Sequence, residues 1–237
     1  MLLYHPIVHS NSYIIHLKKN TICAFVAIHI FTAFILSMFK NLLLFFAISL
    51  LVFTCLTGCN KPKSGNPRVE IQTQFGDIEL ELYVTKAPKT VGAFLSYVDS
   101  GFYDRSSFYR VMNQDNQVID SWKAELIQGG LWKTNYKKAT TLPGIPHETT
   151  KQTGIKHTNG VISMARLDPG TATTEFFICV GDQPGFDFGG ENNEDGLGYA
   201  AFGKVVKGDD VLQKIYNQPE RNQSFDPPVH IFKIVRK

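Results

Sequence analysis

The sequence predicts a mainly β domain over residues 69–237, an antiparallel barrel or sandwich with two helical caps, and three observations carry that prediction. First, apolar residues recur with period two: Ile78, Leu80 and Leu82 alternate with Asp77, Glu79 and Glu81, the pattern of a strand with one buried face. Second, short apolar runs follow at intervals, each bounded by Gly, Pro, Asn or Asp. Third, only two segments carry helical spacing, and strands and helices do not alternate as parallel βαβ units require.

Before that domain, the 237-residue chain opens with two apolar stretches, Ile22–Leu36 and Leu42–Thr54. Both fall short of the ~20 residues that a membrane-spanning helix needs. From Met38 the chain reads Lys40, then Leu42–Thr54, then Leu56-Thr57-Gly58-Cys59, which is the charged, apolar, small-residue order of a secretory signal. That order resembles the bacterial lipobox, which implies cleavage before Cys59 and acylation of its thiol. Residues 1–58 are then a leader, with the signal in 38–58 and residues 1–37 an extension or an early start. Residues 59–68, polar with Pro and Gly, form a lipidated tether. An uncleaved helical anchor is the alternative, and both readings hold the protein to a membrane. The expected location is a membrane-anchored lipoprotein of the bacterial cell envelope.

Along the body, further strands are expected at Phe108–Met112, Leu126–Gln128, Val161–Ala165, Phe176–Val180, Ala200–Val206 and Val229–Val235. Pro88 opens a helix over Lys89–Ser100, whose Val91, Phe94, Leu95 and Val98 share a face before Gly101 stops it. Asp209 caps a second helix in which Val211, Leu212 and Ile215 share a face. Lys133–Asn159, rich in Lys, Thr, Gly and Pro, reads as long loops able to carry a site. No repeat or low-complexity tract interrupts the domain, which is long enough to bury one substantial core.

Charge and cysteine usage narrow the function. The formal net charge is +3, and Lys18, Lys19 and Lys40 in the leader account for all of it. The body is therefore neutral and lacks the clustered positive charge of a nucleic-acid binder. Cys23, Cys55 and Cys59 lie at the amino-terminal end, so Cys179 is alone in the body and no internal disulfide is possible there. It reads as a small buried hydrophobe. His147, His157 and His230 have no metal-ligand spacing, and Glu191–Gly196 matches a calcium loop in composition only, so no metal and no cofactor are expected.

Several segments in order resemble the cyclophilin-type peptidyl-prolyl isomerases. They are Phe75–Leu82, Ala87–Val91, Gly101–Asp104, Phe108–Val111, Ile127–Gly130, Gly160–Arg166, Glu175–Ile178 and Ala201–Val205. The resemblance implies an eight-stranded antiparallel barrel closed by two α-helices and an enzyme that accelerates X-Pro rotation in exported or unfolded polypeptides, acting as a monomer. It also implies roles for single residues. Arg110 is the catalytic guanidinium, Gln128 the amide that holds the peptide backbone, and Phe177 the floor of the proline pocket. Leu126, Met164, Ala165, Glu175, Phe186 and Tyr199 complete the substrate site. Strand alternation supports Phe177: if Phe176 points into the barrel, Phe177 points to the other face, where a large exposed aromatic needs a use.

The chain also departs from the family's pattern. Glu125 and Glu175 put carboxylates within possible reach of Arg110, where either could orient the guanidinium or occupy its donors. Arg166 stands where asparagine is common, and Gly185 at the usual tryptophan position, which implies weak binding of the cyclic-peptide drug that defines the family. Two insertions, near 113–124 and 188–198, flank the expected site. Glu125 and the insertion motivate one rival, a catalytically weak peptide-binding or holdase module on the same fold; a second rival is a barrel lipoprotein binding small apolar ligands. Bulky strand residues speak against the second, because they fill a barrel of this size.

Overall fold

The computed structural model describes residues 65–118 and 123–237, together with Met38 and Lys40. Contacts divide the chain into Met1–Pro62 and Lys63–Lys237, and the description below concerns the second unit. The leader, Cys59 and most of the tether lie outside the described residues. No helix among the described residues is long and apolar enough to cross a membrane.

Alternation in the strands becomes a closed barrel. Val69 and Ile71 of β1 (Arg68–Thr73) and Ile78, Leu80 and Leu82 of β2 (Gly76–Leu82) are fully buried, while the residues between them face outward. The remaining strands are β3 (Ser106–Met112), β4 (Leu126–Gly130), β5 (Val161–Met164), β6 (Phe176–Cys179), β7 (Ala200–Lys207), β8 (Glu220–Arg221) and β9 (Ser224–Arg236). Around the barrel they run β1-β2-β7-β5-β6-β4-β3-β9, and β9 pairs back onto β1, every pairing antiparallel. That is the expected eight-stranded barrel. The two-residue β8 pairs only with the start of β9.

The core is aromatic at its centre. Phe94, Tyr103, Phe108, Phe176 and Phe202 are buried, with Phe94 and Phe176 meeting edge to face at 5.8 Å. Burying each such ring stabilises the fold by roughly 1.5–3 kcal/mol. Phe94 comes from α1 (Pro88–Asp99), which carries the expected buried face and has Pro in its first turn. Two of its free N–H groups are satisfied from 58 and 59 positions away: Glu148 accepts from Thr90 N at 2.8 Å and from Lys89 N at 3.2 Å.

Three local expectations change. Lys133–Asn159 contains two short helices, α2 (Tyr136–Thr141), capped by the Asn135 side chain, and α3 (Thr150–Thr153), held by a Thr149/Gln152 capping box and ended by Gly154. The second long helix is α4 (Asp209–Tyr216), and its N-cap is Gly208 rather than Asp209. Gly208 has φ 90°, and a Cβ there would strike the Asp77 carbonyl, so Asp209 and Asp210 fall in the first turn instead. Finally, β1 begins at Arg68, one residue inside the expected tether.

Candidate active site

Arg110, Gln128 and Phe177 line up across three neighbouring strands. The register pairs Arg110 with Gln128 across β3 and β4, and Gln128 with Phe177 across β4 and β6. A bulge between Phe108 and Arg110 makes the row possible. Phe108 and Val111 both enter the core, so the two residues between them, Tyr109 and Arg110, face outward in succession. Bulges next to sites re-aim side chains in this way.

Phe176 points into the barrel and Phe177 to the opposite face, as alternation requires, but Phe177 is not exposed. It lies in a second, smaller apolar cluster with Ala124, Leu126, Cys179 and Phe186, against which Met112, Ala165 and Tyr199 pack. The rings of Phe177, Phe186 and Tyr199 meet one another at centroid distances of 5.1–5.4 Å. They form one wall of a cleft of about 620 Å³, whose lining also includes Arg110, Leu126, Gln128, Ala165 and Gln223.

Below Phe177 lies His157, its ring stacked on the phenyl ring at 6.0 Å and 13°. His157 Nδ1 meets Asp187 Oδ1 at 2.9 Å and Nε2 meets Ser163 Oγ at 3.0 Å. An ionised Asp187 can only accept, so Nδ1 carries the proton and Nε2 accepts from the Ser163 hydroxyl. Burial lowers the His157 pKa against the upward pull of Asp187, which leaves the ring neutral. Ser163 has no solvent access, so this Asp-His-Ser row supports the floor rather than offering a nucleophile. Cys179 is equally closed, with burial pushing its thiol pKa far up.

Of the residues expected in the substrate site, Met164 lies elsewhere and Glu175 sits at the edge of the site. Met164 is in the barrel core, 1% exposed, because its neighbour Ala165 takes the outward position beside the cleft. Glu175 faces outward into an adjoining cleft that Arg110, Gln128 and Ala165 also line, with Trp132, Leu142 and Thr171 beyond them. Its Oε2 accepts from Tyr109 Oη at 2.7 Å, and its Oε1 accepts from Leu131 N at 2.7 Å, Trp132 N at 3.1 Å and Thr174 Oγ1 at 3.0 Å. Burial raises its pKa while these donors pull it down. Glu125 accepts from Tyr216 at 2.7 Å in a separate polar cleft.

Neither carboxylate therefore pairs with Arg110, whose partners are neutral amides. Its Nη1 donates to Gln128 Oε1 at 3.1 Å, and its Nε and Nη2 donate to Gln223 Oε1 at 3.0 and 2.6 Å. Three of the five N–H donors of a guanidinium are thus used, leaving two beside the apolar cleft. Gln128 Nε2 donates to Tyr109 Oη at 2.9 Å, so a chain of donors runs Arg110, Gln128, Tyr109, Glu175 and ends on an anion. Gln223 has no motif in the sequence; only the turn residues Asn222-Gln223 hint at a hairpin there.

Arg166 builds the far rim. Its side chain is buried, forms a two-pronged pair with Asp195 at 2.7 and 2.9 Å, donates to Gly198 O and lies 5.3 Å from the Tyr199 ring centroid. This pins the 188–198 insertion so that Glu191, Asn192, Asn193 and Glu194 line the cleft. Gly185 lies under the same loop, where a Cβ would collide with the Asn192 amide. Among the described residues no group of three His, Cys, Asp or Glu is placed to hold a metal ion.

Comparison with known proteins puts this site in context. The family model for cyclophilin type peptidyl-prolyl cis-trans isomerases matches residues 68–236. A peptidyl-prolyl cis-trans isomerase of Acinetobacter baylyi is 41% identical over 155 residues, covering 65% of this chain and 74% of that protein. Peptidyl-prolyl cis-trans isomerase B of Escherichia coli is 38% identical over 148 residues, covering 62% and 82%. The crystal structure of a Cryptosporidium parvum cyclophilin type isomerase superposes with a TM-score of 0.56 at 24% identity, covering 73% of this chain and 98% of that one, a likeness of fold.

Proposed function

The chain belongs to the cyclophilin-type peptidyl-prolyl cis-trans isomerase family, and from that premise we propose that Arg110, beside the cleft floored by Phe177, is the group through which it acts on X-Pro bonds. The protein is a peptidyl-prolyl isomerase, and proline-containing polypeptides are its substrates. Amide rotation costs ~18–20 kcal/mol because resonance must be broken, and X-Pro bonds exchange over tens to hundreds of seconds unaided. No bond is made or cut, so catalysis needs only tighter binding of the twisted amide than of the planar one.

In the twisted state the prolyl nitrogen regains its lone pair, to which a remaining N–H of Arg110 donates. Phe177, Leu126 and Phe186 take the pyrrolidine ring, and Ala165 leaves room beside it. Gln128, with one N–H and one lone pair still free, holds the substrate backbone. The observation that carries this reading is the setting of Arg110: its charge is held by two amides, with no carboxylate to absorb it. Replacing Arg110 with Ala is expected to lower kcat/KM in a protease-coupled proline-peptide assay by roughly 10²–10³-fold, the scale for losing one donor to developing charge. A folded Arg110→Ala variant with the wild-type rate would overturn the assignment.

The cellular context is proposed from the sequence. Cys59 becomes the acylated first residue of a monomeric lipoprotein in the bacterial envelope, acting on exported or unfolded chains. Mass spectrometry of the mature N-terminus should show modified Cys59, and an intact Met1 or Met38 would refute it.

A further inference from the structure

Gln223 is far from Arg110 in sequence, yet it holds the inner edge of the guanidinium. Its Oε1 takes both Nε and Nη2, at 3.0 and 2.6 Å, which fixes the plane of the group; the single contact from Gln128 to Nη1 fixes only one corner. Gln223 is itself held on every side. Its backbone N–H donates to Glu220 Oε2 at 2.7 Å, its carbonyl accepts from Val111 N at 2.9 Å, and its Nε2 donates to Asn116 O at 3.1 Å.

The backbone is held in a conformation that L residues avoid. Asn222 and Gln223 have φ of 51° and 68°, the left-handed pair of a tight hairpin turn between β8 and β9. Strain of this kind persists where the surroundings over-determine it, and it clusters at working sites. Asn116, from the 113–124 insertion, is anchored in turn: its Nδ2 donates to Val111 O at 3.1 Å and its Oδ1 accepts from Asn113 N at 3.0 Å. Insertion and hairpin thus close on the strand that carries Arg110.

We propose that Gln223 is a positioning residue for the isomerisation, locking the Arg110 guanidinium so that its two remaining N–H groups meet the twisted amide, and that the 113–124 insertion serves to anchor it through Asn116. The proposal rests on the reading of Arg110 given above. An arginine without this lock turns about its long side chain and meets the transition state only part of the time, a loss that falls on kcat more than on KM.

The test is a double-mutant cycle in the full chain, with kcat and KM measured on a proline peptide. Gln223→Met keeps the length and removes the acceptor, and kcat is expected to fall about tenfold or more with KM nearly unchanged. In an Arg110→Ala background Gln223→Met should cause no further loss. Wild-type kcat in Gln223→Met, or equal losses in both backgrounds, would overturn the proposal. An Arg110→Ala variant that keeps the wild-type rate is a separate outcome, because it removes the underlying reading. Gln223→Asn, which tolerates the left-handed turn but cannot reach, is expected to match the Met variant if the latter fails to fold. Slow solvent exchange of the Arg110 Nε–H in the unmodified protein is a further expected result, and fast exchange would refute the lock.

Discussion

Glu175→Gln is the change that most directly interrogates the donor chain behind Arg110. In the native site both Glu175 oxygens only accept, Oε1 from three donors and Oε2 from the Tyr109 hydroxyl at 2.7 Å. An amide offers one acceptor and one donor. Its oxygen will take the side facing Leu131 N, Trp132 N and Thr174 Oγ1, which puts its NH2 against Tyr109 Oη. That hydroxyl already accepts from Gln128 Nε2 at 2.9 Å, so its proton is left between two donors with nowhere to go. Reversing Tyr109 and Gln128 only moves the conflict to the contact between Gln128 and Arg110 Nη1. Losing a hydrogen bond to a charged acceptor costs about 1.5–3 kcal/mol. Part of that returns because a buried carboxylate, whose pKa burial raises, is no longer present. A net loss of about 1–2 kcal/mol follows, or roughly tenfold in kcat/KM if it reaches the guanidinium. Adding Tyr109→Phe removes the stranded proton, so the double variant should be more stable in denaturant and more active than Glu175→Gln alone. Wild-type activity and stability in Glu175→Gln, or a double variant worse than the single one, would refute the reasoning.

Three further outcomes are expected. Because burial lowers the His157 pKa, the unfolded chain binds more protons than the folded one below the ordinary ~6.5. This contribution to stability is complete above that pH and lost as pH falls through the folded-state value. Denaturant midpoints between pH 7.5 and 5 should therefore drop more steeply for wild type than for His157→Gln, the difference isolating His157 from His147, whose pKa burial also lowers. Ser107 Oγ is buried without a hydrogen-bond partner among the described residues, so Ser107→Ala should be neutral or raise stability by up to about 1 kcal/mol; a clear loss in a urea melt would contradict this. Gly203→Ala should destabilise by about 1–3 kcal/mol, because its Cβ would stand 2.6 Å from the Glu81 carbonyl oxygen and 2.8 Å from Leu82 Cδ2. An unchanged melting temperature would show that the strand yields.

What the sequence revealed was what short-range rules encode. The period-two rows, the buried faces of α1 and α4 and the opposed Phe176 and Phe177 follow from local geometry, and the family motifs supplied the barrel's order. Met164 failed against a rule already in hand: if Ala165 faces the cleft, its neighbour on the strand faces the core. The two short helices escaped because a few residues of helix depend on their caps, Asn135 and the Thr149/Gln152 box, more than on any periodic stripe. Glu148 at the start of α1 and Gln223 behind Arg110 were illegible for another reason. Each meets its partner only after the chain has closed, across 58 and 113 positions.

The return of β9 onto β1 bears on the company this enzyme keeps. Its substrates are extended polypeptides, which readily stitch themselves onto any unpaired strand. A ring of strands offers such visitors no seam along the main sheet, so a client chain is steered to the groove and leaves it again instead of being recruited into the enzyme's own weave.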